Sequence, residues 1–134
     1  MAKYKTDYAL RTKLDRPFEQ AVEQVKAALK QEGFGVLTEL DMKSILKQKL
    51  DVEFRKYVIL GACHPPFAKR ALHADLEAGL LLPCPVVVYE EGAGSVVAIA
   101  DPVVRVEMTE NAELEAVAVD ARARLERVIT ALQG

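Results

Sequence analysis

Val86-Val87-Val88-Tyr89-Glu90-Glu91-Gly92-Ala93-Gly94-Ser95-Val96-Val97-Ala98-Ile99-Ala100 holds two apolar runs rich in valine, separated by glycines. β-branched side chains fit a pleated surface, and glycine supplies the backbone freedom a tight turn needs. The stretch therefore predicts a hairpin: a strand over residues 86–90, a turn at Gly92-Ala93-Gly94 and a returning strand over 95–100. No helix of useful length fits between the two runs, so they must pair antiparallel.

Outward from the hairpin, upstream, Leu80-Leu81-Leu82-Pro83-Cys84-Pro85 is an apolar connector. A helix is expected over 67–77 from the spacing of Ala68, Ala71, Leu72 and Asp75. Residues 55–63 read as a strand whose Tyr57-Val58-Ile59-Leu60 run is apolar on both faces, which predicts a central position. Pro65-Pro66 stops it, because proline cannot donate to a ladder. A short helix over 41–50, capped by Asp41 and carrying Lys43, Lys47 and Lys49, follows a strand over 35–40.

Phe18, Val22, Val25 and Leu29 recur at helical spacing. They predict an amphipathic helix started by Asp15 and Pro17 and closed by Gly33, with Phe34 as an apolar partner for its last turn. A first strand over 4–10 precedes it. Downstream of the hairpin, alternation of Val104 and Val106 against Arg105 and Glu107 predicts a short edge strand over 103–108. Thr109 or Asn111 then caps a final helix with the stripe Leu114, Val117, Ala121, Leu125, Val128 and Leu132. The fold class is α+β: a two-layer sandwich in which two long helices cover one face of an antiparallel sheet. The apolar content of Val58, Leu60, Val86, Val88, Val97 and Ile99 exceeds what a wet face would carry, which predicts a homodimer.

Composition bounds the function. The 134 residues, 51% hydrophobic and 28% charged, suit one domain over residues 1–134 and exclude a disordered chain. With Lys+Arg 18 against Asp+Glu 20, no basic excess exists to neutralise phosphates, so nucleic acid is not an expected partner. No apolar run is long enough for a membrane span, and the polar start after Met1 resembles no secretory leader. A cytoplasmic location is expected, where thiols stay reduced. One Asn and two Ser fit a thermophilic source or a GC-rich genome equally.

The chemistry-bearing residues concentrate in one stretch. Cys63-His64-Pro65-Pro66 ends one strand and Cys84 begins the next, with His73 between them. Antiparallel pairing would bring Cys63 and Cys84 together beside His64. Several readings stay open. Thiolates and imidazole are ligands for zinc or Cu(I), which makes Cys63, Cys84 and His64 candidate metal ligands, although their spacing matches no metal motif. Cys63 could be a nucleophile activated by His64 or by the start of the following helix. Both cysteines could be small buried apolar residues, or they could form a disulfide.

Leu60-Gly61-Ala62-Cys63, His64-Pro65-Pro66-Phe67-Ala68, Arg70-Ala71-Leu72 and Gly79-Leu80-Leu81-Leu82-Pro83-Cys84, leading into Val86-Val87-Val88-Tyr89-Glu90, resemble the hallmark stretch of the DUF302 family. The resemblance spans nearly the whole chain. It implies a β-α-β(4)-α fold of the TBP-like type and a small dimeric protein, and it implies no activity. Cys63 and Cys84 match the family pattern, whereas members often carry Asn at the position of His64 and a polar residue at that of Pro85. The function expected is a homodimeric binding module. Its site for a small ligand, a metal or a sulfur species would lie at Cys63, His64, Pro65 and Cys84. The alternatives are a thiol-dependent enzyme using Cys63 and a purely structural partner protein.

Overall fold

A computed structural model describes residues 7–134. Strand β1 (Ala9–Leu14) leads into helix α1 (Phe18–Gln31), strand β2 (Gly35–Asp41) and helix α2 (Met42–Leu50). Strand β3 (Tyr57–Cys63), helix α3 (Pro65–Ala74) and a short 3-10 helix (Leu76–Leu81) follow. Strands β4 (Cys84–Glu91) and β5 (Gly94–Ala100) form the expected hairpin. Helix α4 (Pro102–Val106), a 3-10 turn (Glu107–Thr109) and the long helix α5 (Ala112–Gln133) complete the chain. The five strands make one antiparallel sheet in the order β1-β5-β4-β3-β2. This is the expected α+β architecture. The strand read as central, β3, is an interior strand, and β4 occupies the middle.

Local signals explain most boundaries. At the end of α1 the N–H of Gly33 donates to the Lys30 carbonyl and that of Phe34 to the Leu29 carbonyl. Gly33 takes φ +88°, the left-handed geometry this helix stop requires, and Phe34 buries against the core. Asp41 caps α2 through Ser44 N–H, as expected. Asn111 caps α5 through the N–H groups of Glu113 and Leu114, which decides between the two expected caps.

Three expectations need correction. The first strand runs from Ala9 to Leu14, and its expected start at Tyr4 lies outside the described residues. Leu10, Thr12 and Leu14 share the face of their neighbours Ile99 and Val97, while Arg11 and Lys13 point away, an alternation hidden among charges. Helix α1 is preceded by Pro17 and has no side-chain cap, so Asp15 does not perform that role. Residues 103–108 form helical turns, not an edge strand: Asp101 accepts from Val103 N–H and Pro102 takes the first helical position. A capping acid followed by proline outweighs a two-residue alternation.

The covered face holds the core. Val58 pairs with Val88, which pairs with Val97; Leu60 pairs with Val86, which pairs with Ile99. All six are buried with Ala21, Val22, Val25 and Leu29 of α1 and Leu125, Val128 and Leu132 of α5. The residues whose number argued for a dimer thus all belong to the helix-covered side. The opposite face carries the stacked pair Tyr57 and Tyr89 (ring centroids 5.5 Å apart, 6° between planes), with half-buried Ile59, Val87 and Ala98. Among the described residues no helix is long and apolar enough to cross a membrane.

Helix α5 has 22 residues, about 33 Å of axis, which is longer than any strand of the sheet, the longest of which, β4, has 8 residues. Its C-terminal half lies on the sheet. Its N-terminal half overhangs and meets α3, α4 and the 3-10 helix in a second apolar cluster of Ala71, Ala78, Val106, Leu114 and Ala118.

Candidate functional site

The two clusters do not close fully against each other. Between them, at the end of β3 and the start of β4, lies a cavity of about 80 Å³. The reason is side-chain size: Ala62, Ala68, Ala71, Ala78, Ala118 and Ala121 all line it. Close packing needs volume, and six alanines on four different elements cannot supply it.

Strand β3 delivers Cys63 and His64 to the rim, and β4 delivers Cys84. In the register Ala62 pairs with Cys84, and Cys63 pairs with Gly35 on the other side. Gly61, just before this point, cannot be another residue without a shift. A Cβ there would collide with Thr38 Oγ1 and lie 2.8 Å from Pro83 Cγ. The close approach of Pro83 to β3 thus sets where β4 begins.

Both cysteines are free thiols. The Cys84 sulfur donates to the Ala100 carbonyl at 3.7 Å. Burial pushes its pKa up from 9.0 to about 11, against the opposing pull of the nearby Arg105 charge. At neutral pH it is a protonated apolar group. His64 is the N-cap of α3, and its Nδ1 accepts from Phe67 N–H at a long 3.4 Å. Its ring stacks on Phe67, with centroids 3.9 Å apart, and meets Phe34 edge-on at 5.2 Å. Burial, with the Arg124 charge second, holds its pKa below 6.5. The neutral ring that caps through Nδ1 carries its proton on Nε2.

The structure thus brings Cys63, His64 and Cys84 to one cavity. Pro65 does not line it and instead opens α3. His73 lies in a separate groove with Lys69, Arg70 and Glu113. Among the described residues no group of three or more His, Cys, Asp or Glu could hold a metal ion. No hydrogen bond joins Cys63 to His64, whose Nδ1 is committed to the helix.

Sequence reasoning missed Arg105. It was expected on the wet side of an edge strand, but α4 turns it onto the cavity wall between Pro102 and Val106. The Asp101-Pro102 pair was the available signal. Asp101 is itself buried and accepts from Arg122 Nε at 2.9 Å as well as capping α4.

The model of a family described as a domain of unknown function, DUF302, matches residues 10–132. A crystal structure of an uncharacterised conserved DUF302 protein from Bacillus stearothermophilus superposes with a TM-score of 0.84 at 29% identity, covering 96% of this chain and 98% of that one. No curated protein matches the sequence.

Proposed function

The chain belongs to the DUF302 family, which fixes its relatives and no activity, and from the cavity we propose that it is a small-ligand-binding module. The observation that carries this reading is the unfilled, alanine-lined space between two apolar clusters at the ends of β3 and β4. Natural interiors keep few voids larger than a water, and pockets with a few convergent polar groups are the usual ligand sites. Binding without catalysis is favoured because Cys84 stays protonated and His64 is engaged as a cap. A reaction at Cys63 would need an activating partner that neither of them supplies.

Xenon is a suitable probe, since it enters dry apolar cavities. Raising xenon pressure should shift the amide resonances of Ala71, Cys84 and Ala118. Ala118→Leu, which adds three carbons at the cavity wall, should remove the response while the rest of the spectrum stays folded. Resonances around the cavity that ignore xenon would overturn the reading.

A second copy of the chain is the proposed partner. The sheet face bearing Tyr57, Tyr89, Ile59 and Val87 has no long helix over it and is apolar enough to pair. Sedimentation should give a dimer for the native chain and a monomer for Tyr89→Lys. A native chain that stays monomeric at 100 μM or so would remove this part.

A further inference from the structure

Arg105 supplies the one formally charged side chain on the cavity wall among the described residues. It is half-buried, and its guanidinium makes no hydrogen bond or ion pair with any described residue. The arginines of α5 differ. Arg122 holds Asp101 and Glu126, Arg127 holds Glu32 at 3.0 Å, and Arg124 lies 3.8 Å from the same carboxylate. Asp101, four residues before it, is already committed to Arg122 and to the Val103 N–H, and Glu107, two residues after it, is exposed and makes no ion pair with it. The positive charge of Arg105 reaches the Cys84 thiol, which also lines the cavity, and so does the opposing charge of Asp101 from its pair with Arg122. A half-buried guanidinium at the edge of an apolar space, with no carboxylate paired to it among the described residues, is placed to receive an anion from outside.

We propose that the cavity takes the anion of a short-chain carboxylic acid, its hydrocarbon end among the alanines and its carboxylate paired with Arg105. This rests on the reading of the cavity as a ligand site and adds the chemical class. The size follows from the volume. A cavity of about 150 Å³ holds benzene, so about 80 Å³ suits an apolar body of roughly three to five carbons. The head group follows from geometry, since guanidinium and carboxylate match in a bidentate pair.

Isovalerate and isovaleramide test the assignment, because they share a hydrocarbon body and differ in charge. Titrations followed by amide shifts of the full chain at pH 7 should show isovalerate binding on the order of tenfold tighter than isovaleramide. Arg105→Gln should bring isovalerate down to the amide's affinity and leave isovaleramide unchanged. Equal affinities in the native chain, or an Arg105→Gln variant that keeps the preference for the acid, would overturn the carboxylate assignment. The cavity reading would survive either result if xenon still binds. Absence of binding by xenon and both probes would remove the two together. Should Arg105→Gln fail to fold, the acid–amide comparison in the native chain decides alone.

Discussion

The imidazole of His64 occupies the space that a side chain on Gly33 would need. A Cβ at residue 33 would lie 2.9 Å from both Cδ2 and Nε2 of the ring. The stop of α1 and the start of α3 are therefore one packed unit: Gly33 turns the chain, Phe34 follows it inward, and His64 lies against both. Gly33→Ala should destabilise the protein by about 1–3 kcal/mol, combining the left-handed backbone cost with displacement of a stacked ring. Gly35→Ala, two residues on with nothing within 4 Å, is the matched control and should change little. Thermal unfolding measures both, and equal melting temperatures for the two variants would contradict the packing argument.

Acid should weaken this unit through the same histidine. His64 in the folded chain holds its proton less tightly than the ordinary 6.5, so the unfolded chain takes up the proton first as pH falls. Its contribution is complete above about pH 6.5 and is lost as pH drops through the lower folded-state value. His64→Asn keeps an acceptor at the cap and removes the titration. The variant should show a flatter stability profile between pH 7 and 5 than the native chain, read from denaturant midpoints. A native slope that Asn leaves intact would assign it elsewhere.

Alkaline pH should act through Cys84. Its folded-state pKa of about 11 exceeds the ordinary 9.0, so stability is complete below pH 9 and falls as pH rises toward 11. Tyr57, also pushed up by burial, adds a loss of the same sign. Comparing the native chain with Cys84→Ala isolates the thiol, whose share is on the order of 2 kcal/mol at the upper end. A thiol reagent at pH 8 should modify Cys84 much more slowly in the folded chain than in the unfolded one. Labelling of Cys84 as fast in the folded chain as in the unfolded one would contradict the raised pKa.

Asp101 joins α4 to α5, since one carboxylate caps the first and binds Arg122 of the second. Arg122→Ala should cost about 1–3 kcal/mol, because it strips a buried carboxylate of its charged donor. Asp101→Asn retains an acceptor for the cap and should cost less than Asp101→Ala. Denaturant unfolding ranks the three, and an Asp101→Ala variant as stable as the native chain would refute the joint role.

Much of the architecture lay in short-range signals. The Gly92–Gly94 turn, the Gly33 stop, the Asp41 cap and the helical stripes of α1 and α5 each depend on neighbours within a few residues. Residues 103–108 misled because two weak periodicities competed and the capping pair before them was the stronger signal. Val58, Leu60, Val86, Val88, Val97 and Ile99 misled in a different way. Their apolar character was plain, but which side of the sheet each one faced depended on register between separate strands. The cysteines and His64 were legible as a cluster, whereas Arg105 was not.

Residue order alone thus settled most of the elements and their antiparallel sense, because capping, turn geometry and periodicity are local. Tertiary packing decided what those elements enclose. Six alanines from four elements, α5 among them, converge around its N-terminal half, and the space they leave is bounded by two free thiols, a capping histidine and an arginine with no ion-pair partner among the described residues. A void is a property of side chains that fail to meet across the fold, and no local pattern records it.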